Sequence, residues 1–105
     1  MIDMIEILIH KGTHKVIEAL LIPNKNIAYI NEKKVSITEQ DINKILDIIF
    51  LWPKDYETKP GIDLEEYHIT ITSNNEETKY HGKGYYPNTY KELKNIVGDL
   101  YGRTY

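Results

Sequence analysis

Residues 67–81 read Tyr-His-Ile-Thr-Ile-Thr-Ser-Asn-Asn-Glu-Glu-Thr-Lys-Tyr-His, and they decide the fold. Tyr67, Ile69 and Ile71 alternate with His68, Thr70 and Thr72, the two-residue period of a half-buried strand. Asn74-Asn75 tolerates the left-handed backbone that a two-residue hairpin turn demands. Closing the turn there pairs Ser73 with Glu76. Tyr80 then falls opposite Ile69 on the inner face, and His81 falls opposite His68 on the outer face.

Upstream, Met4 to His10 and Lys15 to Ile22 are rich in Ile, Val and Leu and flank Gly12, which reads as a second hairpin. Ile5, Ile7 and Ile9 lie on one face, with Met4 and Leu8 on the other. Val16-Ile17 and Leu20-Leu21 repeat this two-sided pattern. A strand apolar on both faces is covered twice or meets a partner chain. Pro23 to Asn26 is a turn, and Ile27 to Ile30 with Val35 to Ile37 forms a further short hairpin.

Thr38 caps the first helix, with Glu39 and Asp41 in its first turn. Ile42, Ile45, Leu46, Ile49 and Phe50 follow the spacing of one buried face. Ile48, Leu51 and Trp52 widen that face before Pro53 stops the helix. Asp55 to Gly61 is polar and reads as a surface loop. Gly82-Lys83-Gly84 breaks the last strand, and Thr89 with Glu92 forms a capping box for a final helix. That helix has the stripe Tyr90, Leu93, Ile96, Val97, Leu100 and Tyr101, with Gly98 on the polar side and Gly102 as its stop. The order predicts one domain over residues 1–105, a two-layer α+β fold with a mostly antiparallel sheet and the helices on one face.

Composition bounds the function. The chain has 105 residues, 41% hydrophobic and 28% charged, which excludes disordered, collagen-like and helical membrane classes. A net charge of −3 argues against nucleic acid or anionic membrane as the partner. No cysteine is present, so disulfides and thiolate metal sites are excluded. Asp3 and Glu6 interrupt the first apolar stretch, which does not read as a secretory signal; a soluble, cytoplasmic protein is expected. Ile, Lys, Asn and Tyr supply 46 of the 105 residues, a bias towards AT-rich codons.

The most distinctive local chemistry runs from Lys79 to Tyr90. Gly82 and Gly84 would let the backbone approach a ligand, and the helix N-terminus behind Asn88 would offer N–H groups to an anion. Lys79, His81 and Lys83 add charge, and Tyr85, Tyr86 and Tyr90 add stacking faces suited to a small ligand or nucleotide. The competing reading is structural: the glycines turn a strand into a helix and the tyrosines cover the core. The spacing matches neither a P-loop nor a dinucleotide fingerprint.

Four histidines raise the question of metal. His68 and His81 face each other across the hairpin, and His10 and His14 flank another turn. Two imidazoles hold zinc only if further ligands arrive from elsewhere. Glu66 and Glu77 are donors within reach, but no compact ligand spacing exists, so the histidines read as polar side chains of a solvent face. No metal or cofactor is expected, and Glu65-Glu66 and Glu76-Glu77 read as a solvated strand start and turn. No nucleophile, base and orienting group stand out, which leaves catalysis without support.

The stretch Tyr80 to Leu93, with Gly82-Lys83-Gly84, Pro87-Asn88, Tyr90 and Glu92-Leu93 behind a helix ending near Trp52, resembles small uncharacterised proteins of low-GC Gram-positive bacteria and their mobile elements. The resemblance implies the strand–glycine–helix layout and carries over no functional residue. The expected function is a non-enzymatic protein-binding module, of the kind a mobile element uses to inhibit or neutralise another protein. Its partner would be a protein, a second copy of the chain included, met through Met4, Leu8, Ile17 and Leu21 on the two-sided hairpin. A small-ligand sponge built on Gly82 to Tyr90 is the alternative.

Overall fold

A computed structural model describes residues 2–61 and 63–103. The strands are β1 (Ile2–Lys11), β2 (His14–Ile22), β3 (Ile27–Ile30), β4 (Lys33–Ser36), β5 (Asp55–Thr58), β6 (Glu65–Ser73) and β7 (Glu76–Lys83). Two helices, α1 (Glu39–Ile49) and α2 (Tyr90–Tyr101), complete the chain, with a short 3-10 turn at Pro23–Lys25. The strands form one sheet in the order β4-β3-β2-β1-β6-β7-β5. Every pairing is antiparallel except that of β5 with β7. The fold is α+β, as the alternation and helix spacing imply.

The expected register of the β6–β7 hairpin holds. Ser73 pairs with Glu76, Ile69 with Tyr80 and His68 with His81, and Asn74 and Asn75 both take positive φ. Asn31 and Glu32 turn the β3–β4 hairpin in the same way. Central strand β1 places Ile5, Ile7 and Ile9 opposite Leu21, Ala19 and Ile17 on one side. On its other side the same three residues meet Ile71, Ile69 and Tyr67. All of these side chains are buried in one core with Ile42, Ile45, Ile48 and Ile49 of α1 and Tyr90, Leu93, Val97 and Leu100 of α2. The helices thus cover one face of the sheet.

Two caps differ in kind. Thr38 and Asp41 form a reciprocal capping box on α1: the Asp41 N–H donates to Thr38 Oγ1 and the Thr38 N–H to Asp41 Oδ2. Thr89 forms no such cap on α2. Its Oγ1 instead accepts from Trp52 Nε1 at 2.8 Å, a tertiary bond that displaces the local one. That bond also explains the end of α1. The helix stops at Ile49, and tight turns from Leu51 to Ile48 and from Trp52 to Ile49 swing the indole into the core. Phe50 and Leu51, expected on the buried stripe, are left exposed.

Two further expectations are corrected. Asp55–Thr58 is not a loop but the edge strand β5, whose residues Asp55 and Thr58 lie opposite His81 and Lys83 of β7. Only Tyr56 in it is partly buried, so no alternation betrays it. Strand β7 also continues through Gly82 and ends at Lys83, before the positive-φ Gly84. Gly82 pairs with Tyr67, and a Cβ there would stand 2.5 Å from the Tyr67 ring. The glycine is needed because the aromatic ring lies across its backbone. Gly98, by contrast, has nothing near its missing side chain.

The two glycines should respond oppositely to alanine. Gly98→Ala should stabilise by about 1 kcal/mol through helix propensity, raising Tm by about 4–8 °C. Gly82→Ala should destabilise by about 1–3 kcal/mol through overpacking against Tyr67. Thermal unfolding followed by circular dichroism reads both.

The start of α1 is also tied to the chain's end. Arg103 grips the buried Asp41 bidentately, Nη1 at 2.5 Å from Oδ2 and Nη2 at 2.9 Å from Oδ1. The Arg103 bond, reinforced by the Thr38 N–H, overcomes burial and lowers the carboxyl from 3.8 to about 2. A folded-state pKa below the unfolded value means that the stabilisation is complete above about pH 4 and is lost as pH falls towards 2. The half-exposed guanidinium keeps its size to about 1–2 kcal/mol. Arg103→Gln should flatten the stability-versus-pH profile between pH 4 and 2 relative to wild type, as urea denaturation will show.

Candidate functional site

The face of the sheet away from the helices carries the residues left over from the core alternation. On β1 these are Met4, Glu6, Leu8 and His10, which pair across to Thr72, Thr70, His68 and Glu66 of β6. Lys79, His81 and Lys83 of β7 continue the rows beyond Thr70, His68 and Glu66. On the other side, Glu6 pairs with Leu20 of β2, which pairs in turn with Tyr29 of β3. The open face therefore divides into an apolar half over β1–β3 and a histidine half over β1, β6 and β7.

In the apolar half, Leu8 and Tyr29 are more than one-third exposed, with Leu20 half-buried between their strands. They line a hollow of about 390 Å³ whose carboxylates are Glu6, Glu18 and Glu32. Met4 and Leu8 lie on this face as expected. Ile17 and Leu21 do not: they are buried beneath the helices, because β2 pairs Ile17 with Ile9 and Leu21 with Ile5. A register shift between Ile9 and His10 skips Val16 and selects which member of each adjacent apolar pair turns inward. Leu20 is the outward residue that the sequence reading missed.

In the histidine half, three imidazoles form a ladder across three neighbouring strands. The His10 and His68 rings stack with centroids 5.7 Å apart, and those of His68 and His81 with centroids 4.5 Å apart. Glu66 lies among them, its Oε2 2.5 Å from His81 Nε2 and 3.4 Å from His68 Nε2, and its Oε1 3.7 Å from His10 Nε2. A carboxylate only accepts, so the close contact puts a proton on His81 Nε2. That hydrogen bond is the chief reason the Glu66 carboxyl is held below its ordinary pKa, against the opposing effect of burial. Burial, then repulsion from His81, pushes the His68 imidazole down, towards the neutral form. The ligand atoms of His10, Glu66 and His68 lie within 4.8 Å of one another, and this trio could hold a cation. Glu66 is therefore not a merely solvated strand start. The sequence already placed His68 beside His81; His10 arrives only through the pairing of β1 with β6.

The residues singled out between Lys79 and Tyr90 are dispersed by the strand period. Lys79, His81 and Lys83 share the open face, and Lys83 lines a hollow with His10 and Glu66. Gly82 lies on the core face under Tyr67, and Gly84 supplies a turn at φ 78°. Tyr85 and Asn88 are exposed. Tyr86 and Tyr90 stack at 4.5 Å and converge on Glu65, Tyr86 donating to its carbonyl and Tyr90 to its carboxylate, which also accepts from Lys94. Burial, then the Glu65 bond, drives the Tyr90 hydroxyl far above its ordinary pKa. In Glu65, burial raises the pKa, but the bonds from Lys94 and Tyr90 outweigh it and leave the carboxyl lowered. This knot ties α2 to the start of β6.

Compared with family models, curated proteins and solved structures, the chain matches none. Among the described residues no helix is long and apolar enough to cross a membrane.

The knot makes the tyrosines stabilising. Tyr86→Phe and Tyr90→Phe should each lower stability by about 1 kcal/mol, since each removes a half-buried hydrogen bond. Lys83→Ala should leave it unchanged within about 0.5 kcal/mol. Denaturant midpoints of the three variants distinguish a structural loop from a free ligand-binding one.

Proposed function

We propose that the protein is a small protein-binding module that docks a partner on the open face of its sheet. The observation that carries this reading is the apolar strip of Leu8, Leu20 and Tyr29, flanked by half-buried Met4, Ile22 and Ile27 on the face opposite both helices. Sheet faces in water ordinarily carry polar residues at these positions, and a contiguous apolar strip with a polar rim marks an interaction surface. Glu6, Glu18 and Glu32 line the same hollow, so the favoured partner presents Lys or Arg around an apolar centre. The mobile-element resemblance would make that partner a host or toxin protein, and the mode of action sequestration rather than chemistry.

Native mass spectrometry of the protein isolated from a low-GC Gram-positive host tests this. A complex mass, heteromeric or dimeric, is expected for wild type. Leu20→Asp and Leu8→Asp should each return the monomer without lowering Tm, while Lys44→Glu on the exposed side of α1 should leave the complex intact. A monomer throughout, or a complex that survives both aspartates, overturns the reading.

A further inference from the structure

We propose that His10, Glu66 and His68 form a binding site for one divalent transition-metal ion of the zinc class, with His81 orienting the carboxylate and the fourth position open to solvent. The distances carry the first part. Zinc bonds to imidazole nitrogen and carboxylate oxygen at about 2.0–2.1 Å, and a tetrahedron of such bonds has edges of about 3.3–3.4 Å. His68 Nε2 lies 3.4 Å from Glu66 Oε2 and His10 Nε2 lies 3.7 Å from Oε1, and one donor atom of each residue stands within 4.8 Å of the other two, so modest side-chain rotations bring all three onto one ion. Both separations from Glu66 are too long for good hydrogen bonds.

Hydrogen bonding carries the second part. His10 Nδ1 lies 3.1 Å from the Gly12 carbonyl, which only accepts, so Nδ1 is the donor there. Nε2 is then the nitrogen turned towards Glu66. A backbone carbonyl fixing the far nitrogen of a histidine is also the usual outer arrangement of a metal ligand. His81 is spent differently, because its Nε2 proton already bonds to Glu66 Oε2. It holds the carboxylate in place, as outer partners of metal-bound carboxylates do.

The donor set selects the ion. Two imidazoles and one carboxylate suit zinc, cobalt, nickel or copper; magnesium and calcium favour all-oxygen shells. The side facing solvent leaves room for water, and Lys83 in the adjoining hollow favours an anionic or neutral fourth ligand over a further cation.

Titration of untagged protein with Co2+, followed by visible absorption, and with Zn2+ by calorimetry, tests the site. One equivalent of Zn2+ should bind in the low-micromolar range or tighter, and Co2+ should give the intense visible bands of a tetrahedral site. His10→Ala and His68→Ala should each weaken binding by more than about 100-fold, and His81→Ala by roughly 10–100-fold. His14→Ala, at the exposed start of β2, should change nothing. Far-UV circular dichroism of each variant confirms that the fold is retained. Absence of saturable Zn2+ binding, binding unchanged in His10→Ala and His68→Ala, or an equal loss in His14→Ala would each overturn the assignment.

Discussion

The structure depends on the register of β1 between β2 and β6. Ile5, Ile7 and Ile9 are inward residues paired on both sides at the centre of the sheet, and a slip of one position would turn all three to solvent. Burying them contributes about 1.5–3 kcal/mol each, enough to make the register unambiguous in a domain whose net stability is about 5–15 kcal/mol. Because side chains alternate, the same pairing dictates the open face with no further interaction needed. Once Ile9 faces Tyr67, His10 must face Glu66, and Leu8 must face His68. The core is thus what assembles the candidate site.

A second constraint joins the sheet to its helices at one corner. Trp52, Tyr67 and Tyr90 pack ring against ring, with Trp52 edge-on to Tyr67 at 5.3 Å and Tyr67 against Tyr90 at 5.5 Å. Gly82 gives the Tyr67 ring its seat, Thr89 takes the indole proton, and Glu65 gathers Tyr86, Tyr90 and Lys94. The glycine and tyrosine signature of residues 82–90 is largely accounted for by this corner. Distinctive residues need not mark a ligand: large rings stacked at a strand-to-helix transition demand specific small and polar neighbours as surely as a nucleotide would.

What was legible in the sequence follows from range. The β6–β7 register could be read because turn chemistry and alternation lie within a few residues of each other, and the Thr38 cap because its partner Asp41 is local. The rest required distant partners. Thr89 has the pattern of a capping residue, but the Trp52 indole outbids Glu92 for it. Strand β5 has no amphipathic pattern and exists because β7 offers an open edge. Ile17 and Leu21 could not be separated from Val16 and Leu20 until β1 chose between them. For the same reason His10, read only as a strand end flanking a turn, became the neighbour of His68.

The composition of the open face also bears on why it is built as it is. Solubility alone would be served by Thr, Lys and Glu, which fill the rows at Thr70, Thr72, Lys79 and Glu77. Stacked imidazoles add little to a sheet, and when protonated they repel one another. Glu66 relieves that repulsion for His81 by a direct bond, but its contacts to His68 and His10, at 3.4 and 3.7 Å, are longer than a good hydrogen bond. One carboxylate cannot satisfy three imidazoles at once. A single divalent cation placed among Glu66, His10 and His68 would engage all three side chains at once, while His81 keeps its bond to the carboxylate. An arrangement that is poor as a salt-bridge network thus supplies three of the four positions of a tetrahedral shell, and it lies on the same face as the apolar strip, where an open coordination position and a docking surface would be presented to one partner.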